Sequence, residues 1–251
     1  MTTLAATGQE VFHNYFFPFT EGFRNAQAND IESVKAACGS DTCAFMMELI
    51  QGEGGVLPLE YGFVQQVRSF CDENDILLII DEVQTGVGRT GTLFAFQQYD
   101  IMPDIVSFAK GIAGGLPFGG VMAGEKCKDV FTPGTHATTF GGNPVAAAAS
   151  VEVLSRMTPE LLQSVVEKGK YITDTVLGWK LPCVKGVRGK GLMLGIALEG
   201  KNPGEAAKRC AENGLLILTA GSDALRLLPP LVITKEEIDE GLDILKRVLE
   251  G

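Results

Sequence analysis

Two short apolar runs, ILLII (Ile76–Ile80) and DIVSFA (Asp104–Ala109), each hand over at once to a charged side chain, Asp81 and Lys110. Runs of this length, apolar on both alternating faces, are what a parallel strand buried on two sides requires. The two charged residues lie 29 positions apart, which leaves room for the crossover that joins parallel neighbours. Parallel strands end at the same edge of their sheet, so Asp81 and Lys110 are expected to face one crevice. Ligands of open α/β sheets bind outside that carboxyl edge. The pair therefore predicts an α/β fold with a mostly parallel sheet, and it predicts where the site lies.

The flanking sequence continues in the same manner. TCAFMMELI (Thr42–Ile50) reads as another buried parallel strand. In LEYGFVQQVRSFCDEND the residues Leu59, Phe63, Val67 and Phe70 recur at steps of four, four and three, which lines them along one helical face. A short strand is predicted at GGVMAG, and two helices at NPVAAAASVEVLSRM and PELLQSVVEKGKYITDTVLGW. The rhythm then changes to strand GLMLGIALE, helix GEAAKRCAENG, strands LLILTA and ALRLLP, and a last helix opened by the capping box TKEE, Thr234–Glu237. The predicted division is a partial large domain over residues 1–150, then a connecting helix and a small C-terminal α+β domain over 151–251.

A fixed carboxylate and a fixed amine at one sheet edge suit a particular ligand. A pyridinium nitrogen takes the carboxylate, which keeps it protonated, and an aldehyde takes the amine, with which it condenses. Pyridoxal phosphate has both groups. Gly111, Gly114, Gly115, Gly119 and Gly120 follow the lysine and leave room for backbone to approach a planar ligand. Each residue also has a plainer reading, since an Asp after a strand often caps a turn and a lone Lys is usually solvated. A competing motif is GVGRTG (Gly86–Gly91), which fits G-x-G-x-x-G and has Asp104 downstream. A dinucleotide site needs its first glycine directly after the strand, whereas DEVQT intervenes here, and Asp104 begins a strand instead of ending one.

Composition removes other classes. With 21 basic and 31 acidic side chains the net charge is −10, which repels a phosphate backbone and argues against a nucleic-acid partner. Six cysteines (Cys38, Cys43, Cys71, Cys127, Cys183 and Cys210) form no C-x-x-C pair, and His13 and His136 are the only histidines. That pattern fits reduced thiols in the cytoplasm better than a zinc site, and no metal is expected. No run approaches the roughly 18 apolar residues of a membrane span, and the N-terminus lacks a signal pattern.

The stretch LLIIDEVQTGVGRTGTLFAFQQYDIMPDIVSFAKGIAGGLPFGGVMAGE closely resembles the core signature of the class III pyridoxal-phosphate aminotransferases. MTTLAATGQ, THATTFGGNP, VRGKGLMLGI and LRLLPPL stand in the family's order, so the resemblance spans essentially the whole chain. It implies the pyridoxal-phosphate-dependent transferase fold (fold type I). By the same resemblance Lys110 is the residue joined to the cofactor and the proton carrier, Asp81 pairs with the ring nitrogen, Val83 packs on the ring, and Gln84 lies beside its phenolic oxygen. Glu53 of QGEGG becomes a switchable partner of Arg226 in LRLLPP, where planar guanidinium binds a substrate carboxylate bidentately. Thr138 and Thr139 of HATTFGGNP, otherwise helix caps, would reach the cofactor phosphate of the other subunit, which implies a homodimer with shared sites; His136 reads as structural. The implied reaction moves the terminal amino group of N2-acetylornithine to 2-oxoglutarate. Ornithine, succinylornithine and 4-aminobutyrate are the rival donors, and the other alternative is an α/β protein whose Lys110 carries no chemistry.

Relative to the family pattern, Met1 and Thr2 stand where HGRT is common. The expectation is a chain without the family's N-terminal part, including its phosphate-binding loop and ring-stacking aromatic, and hence with weak cofactor binding and little activity alone.

Overall fold

The computed structural model describes residues 2–251. Two short helices, α1 (Thr2–Ala6) and α2 (Ile31–Ala37), precede the first sheet. The Asp30 side chain caps α2 by accepting the Glu32 and Ser33 amides, and so satisfies two of the helix's free donors. A central sheet follows, built from β1 (Ala44–Glu48), β4 (Leu77–Asp81), β5 (Ile105–Phe108) and β6 (Gly120–Ala123) in the order β1-β4-β5-β6. A small hairpin of β2 (Ile50–Gln51) and β3 (Leu57–Pro58) leaves its carboxyl edge.

The register bears out the reading of the two apolar runs. β1 pairs parallel to β4 with Glu48 opposite Asp81, and β4 pairs parallel to β5 with Asp81 opposite Ser107. β6 is antiparallel to β5. The chain between them, residues 109–119, is shorter than the dozen or more residues a parallel crossover requires. It turns back through a 3-10 helix (Lys110–Ala113) and two glycines, Gly114 and Gly115, at φ 60° and 104°. Between β4 and β5 the crossover carries a 3-10 turn (Ala95–Tyr99) and no α-helix among the described residues.

Helix α3 (Tyr61–Glu73) covers one face of this sheet. It buries Phe63, Val64, Val67 and Cys71 against Leu78 and Ile80. Leu59 joins the same core from just before the helix and Phe70, partly covered, packs against it, so all four predicted residues face that core. Burying one such side chain contributes about 1.5–3 kcal/mol, more than any helix propensity in the segment.

After α4 (Pro144–Ser155) and α5 (Pro159–Gly178) comes an antiparallel sheet in the order β7-β8-β10-β9: β7 (Val184–Lys190), β8 (Met193–Leu198), β9 (Leu218–Ala220) and β10 (Ala224–Leu227). Helices α5, α6 (Pro203–Glu212) and α7 (Lys235–Glu250) close a core with Val165, Ile172, Leu194, Ile196, Leu225 and Leu245. The capping box at Thr234 and Glu237 is formed as expected. Strand β7 was not legible, because VKGVRGK carries two glycines and three basic residues in place of an apolar pattern. The run LLILTA is strand only from Leu218.

GVGRTG is a structural joint between the two sheets. Arg89 Nη1 donates to the carbonyls of Leu192 and Pro229 at 3.0 and 2.6 Å, and the Leu192 amide returns a bond to the Arg89 carbonyl at 3.0 Å. Val87, Gly88 and Gly91 take positive φ, which turns the segment so that Arg89 reaches across.

Candidate active site

Asp81 is the last residue of β4 and is held by its own local geometry. Its Oδ1 accepts the Val83 amide at 2.9 Å and the Ser107 hydroxyl at 3.1 Å. Both hydrogen bonds to Asp81 end on Oδ1 among the described residues, which leaves Oδ2 free to accept a donor. Lys110 begins the 3-10 turn just past β5. It is exposed, and its backbone sits at φ 49°, a left-handed conformation that an L side chain adopts only where its surroundings hold it. No ion pair or hydrogen bond falls on its amine among the described residues.

Glu48 joins these two from β1, directly opposite Asp81 in the register. It is half-buried and accepts the Gly52 amide at 3.2 Å. Burial holds its carboxyl above the ordinary value of 4.5, opposed by the bond from the Gly52 amide and by the Lys110 charge, while the charges of Asp81 and Glu53 add to the rise. Four charged side chains, Glu48, Glu53, Asp81 and Lys110, thus share one edge of the sheet.

The second group of predicted residues meets above that edge. Arg226 on β10 is 7% exposed and places Nη1 2.7 Å from Glu53 Oε1. The same nitrogen lies 3.4 Å from Gln84 Oε1, and Gln84 Nε2 lies 3.4 Å from Glu53 Oε1. Arg226, Glu53 and Gln84 therefore form one polar triangle spanning both sheets. Arg226 Nε is buried with no hydrogen-bond partner, a donor whose desolvation goes uncompensated at about 1–3 kcal/mol. A Cβ at Gly52 would lie 2.5 Å from Gln84 Nε2, so a side chain there would push the end of Gln84 out of the triangle.

The threonines stand apart from these clusters. Thr138 and Thr139 are exposed, in an irregular segment before α4. The cap of α4 is Asn143, which accepts the Val145 and Ala146 amides, so neither threonine has the capping role. His136 is exposed beside Phe131, with ring centroids 5.3 Å apart. Helix α4 itself packs on the turn that bears Lys110, with Ala149 and Val153 against Ile112 and Ala113.

Sequence reasoning missed Glu48 and Ser107. Glu48 had a weak signal as the one charged residue in the run TCAFMMELI, and only the structure shows β1 ending on it. Ser107 offered none, since a serine within an apolar strand acquires meaning only from the register.

A family model described as aminotransferase class III matches residues 1–249. The acetylornithine aminotransferase of Haemophilus ducreyi is 46% identical over 99% of this chain, and that of Caldanaerobacter subterraneus subsp. tengcongensis is 48% identical over 98%. The chain spans 63% of the length of each of these curated relatives. Among solved structures, N-acetylornithine aminotransferase from Stenotrophomonas maltophilia superposes with a TM-score of 0.83 at 40% identity, covering 91% of this chain and 62% of that one. An ornithine aminotransferase from Toxoplasma gondii, seen with partial occupancy of PLP at its active site, superposes with a TM-score of 0.93 at 33% identity, covering 99% of this chain and 60% of that one.

Proposed function

The chain belongs to the class III aminotransferases, and from that membership we propose that it carries the reacting groups of a pyridoxal-phosphate-dependent transaminase. The proposed reaction moves the terminal amino group of N2-acetylornithine to 2-oxoglutarate and so serves arginine biosynthesis. The observation that carries it is the placing of Asp81, Lys110 and the Arg226–Glu53 pair at one sheet edge. The donor is suggested by relatives that are acetylornithine aminotransferases at 42–48% identity.

The residues present fit the cofactor. Pyridoxal phosphate, when bound, supplies an aldehyde that condenses with amines and a protonated ring that withdraws electrons from the substrate carbon. Asp81 Oδ2 is oriented by the two bonds on Oδ1 to hold the proton on the ring nitrogen. Lys110, without a competing partner, offers its amine first as the attachment point and then as the base that moves a proton at the substrate carbon. In this reading Val83, whose amide bonds to Asp81, would pack on the ring, and Gln84 would lie beside its phenolic oxygen. Arg226 receives the α-carboxylate of glutamate or 2-oxoglutarate through a planar fork. When the donor brings no carboxylate to that position, Glu53 occupies the fork instead.

The same proposal includes a cytoplasmic homodimer in which Thr138 and Thr139 of one subunit reach the cofactor phosphate held by the other. It also keeps a cofactor-binding part over residues 1–150 and a connecting helix with a small part over 151–251. No helix among the described residues is long and apolar enough to cross a membrane.

Single-turnover measurements test the reading. The chain, joined to the N-terminal part of an acetylornithine aminotransferase it resembles and loaded with pyridoxal phosphate, is mixed separately with glutamate, N2-acetylornithine, ornithine, N2-succinylornithine and 4-aminobutyrate. Fast half-reactions with glutamate and N2-acetylornithine are expected. A faster reaction with another donor reassigns the substrate, and no reaction with any of them removes the enzyme reading.

A further inference from the structure

Three residues form one rung across the C-terminal sheet. Arg188 on β7 pairs with Gly195 on β8, and Gly195 pairs in turn with Arg226 on β10. Residues directly opposite in antiparallel strands project from the same face, so two arginines flank a glycine there. The loop that carries Glu53, residues 52–56, lies on that rung. A Cβ on Gly195 would come within 2.9 Å of Val56 Cβ and 3.2 Å of the Gly55 carbonyl, so the middle position of the rung must be bare.

Each arginine takes a different part of the loop. Arg226 takes the Glu53 carboxylate. Arg188 donates from Nε to the Gly55 carbonyl at 2.7 Å, and its Nη1 and Nη2 grip Asp223 bidentately at 3.2 and 2.6 Å. The Gly221 amide adds a bond to the Glu53 carbonyl at 2.9 Å, and Val56, fully buried at φ 55°, plugs the loop into Ile50, Met193 and Ala220. The loop's backbone is thus fixed on both sides of Glu53 while the Glu53 side chain remains half exposed.

We infer that Arg188, braced by Asp223, is a positioning residue for the Glu53–Arg226 pair and thereby sets how readily the site admits a dicarboxylate. This role rests on the proposed binding of a substrate carboxylate by Arg226. With the backbone pinned, Glu53 leaves and re-enters the Arg226 fork by rotating its own side chain, and the loop does not have to move. Glu53 then competes with the incoming carboxylate for one guanidinium. Apparent affinity for the dicarboxylate is reduced by the fraction of molecules in which Glu53 holds the fork. Loosening the loop lowers that fraction.

Glutarate, a dicarboxylate that cannot transaminate, is the probe, and its binding to the protein is measured by calorimetry without any turnover. Arg188→Gln is expected to bind glutarate about 3- to 10-fold more tightly than the parent. Loss of a positive charge, or a general loosening of the fold, would weaken binding of a dianion, so the direction identifies the mechanism. Glu53→Gln should tighten binding at least as much, and the double variant should match Glu53→Gln alone because both changes remove the same competitor. Asp223→Asn, a milder change should Arg188→Gln fold poorly, is expected to act in the same direction, and Arg188→Lys to lie between parent and Arg188→Gln. Hydrogen exchange in the segment 50–58 should quicken in Arg188→Gln and Asp223→Asn. Unchanged or weaker glutarate binding in both of these variants, or additive effects in the double variant, overturns the role while Arg226 still stands as the carboxylate site. A parent that binds no glutarate, or binds it independently of Arg226, removes the underlying reading and this role with it.

Discussion

Arg226 reaches from β10 to Glu53 with Nη1 2.7 Å from Oε1, while its own Nε is buried without a partner. The fork is thus only partly satisfied by Glu53, and a ligand carboxylate that pairs with Nε gains a bond the resting protein does not make. Replacing Arg226 with Lys keeps the charge and loses the fork. The half-reaction with glutamate should slow by about 1–3 kcal/mol of transition-state stabilisation, or about 5–150-fold. Glu53→Gln should instead disturb the N2-acetylornithine half-reaction more. Equal effects of both changes on both half-reactions, measured in single turnover, would remove the exchange of partners.

Glu82 gives a prediction about pH. It is 1% exposed, accepts the Phe96 amide at 2.8 Å and the Thr85 hydroxyl, and burial holds its carboxyl above the ordinary value of 4.5. An acid with a raised folded-state value binds its proton more tightly when folded. Its contribution to stability is therefore complete below the unfolded value and is lost as pH rises from about 4.5 through the folded value. Glu82→Gln keeps an acceptor for the Phe96 amide, requires the Thr85 hydroxyl to reverse and accept, and has no charge to bury. The difference in Tm, variant minus parent, should be more positive at pH 7.5 than at pH 5. A difference independent of pH would contradict this.

Much of this arrangement was legible in the sequence, for a specific reason. The runs that lead into Asp81 and Lys110 are continuously apolar, a pattern that reads as parallel neighbours, although in the structure only alternate positions, Leu78, Ile80 and Val106, are buried. Once they are side by side, the edge position of both residues follows from the backbone alone. The pairing of Glu53 with Arg226, 173 positions apart, could not be derived that way and came from the family's motif order. Glu48 and Ser107 acquire their roles only through register, and β7 hides behind glycines and basic residues. Arg188 sits on that hidden strand, which is why its contact with Gly55 had no counterpart in the linear pattern.

Gly169 lies inside α5, where alanine normally favours a helix by about 1 kcal/mol. A Cβ there would lie 2.1 Å from the Gly191 carbonyl, in the tight turn between β7 and β8. Backbone is on the receiving side, and Gly191 is itself wedged against Arg89 and Thr90, so relief requires the helix to move. The clash outweighs the propensity, and Gly169→Ala should destabilise by more than about 2 kcal/mol. Urea unfolding checks it, and a stabilised variant would show that helix and turn are less closely packed.

Arg89 is the clearest joint between the two sheets. Arg89→Ala leaves the carbonyls of Leu192 and Pro229 without their donor, at a cost of about 1–3 kcal/mol for each that water cannot reach. Denaturant unfolding should show a lower midpoint, with the C-terminal sheet opening at lower denaturant than the central one when fluorescence of Trp179 is followed alongside far-UV dichroism. Coincident, unshifted transitions would show that Arg89 does not couple the sheets.

The role of Lys110 is the claim on which the proposed chemistry depends, and covalent trapping reaches it most directly. The protein is incubated with pyridoxal phosphate, reduced with borohydride, digested and mapped by mass spectrometry. The expected result is one added cofactor mass on the peptide that contains Lys110, absent from Lys110→Ala, and in a full-length context Lys110→Ala should remain folded and lose several orders of magnitude in transamination rate. Cofactor mass spread over other lysines with none at Lys110, or a Lys110→Ala protein that keeps more than about a tenth of the parental rate, would contradict it.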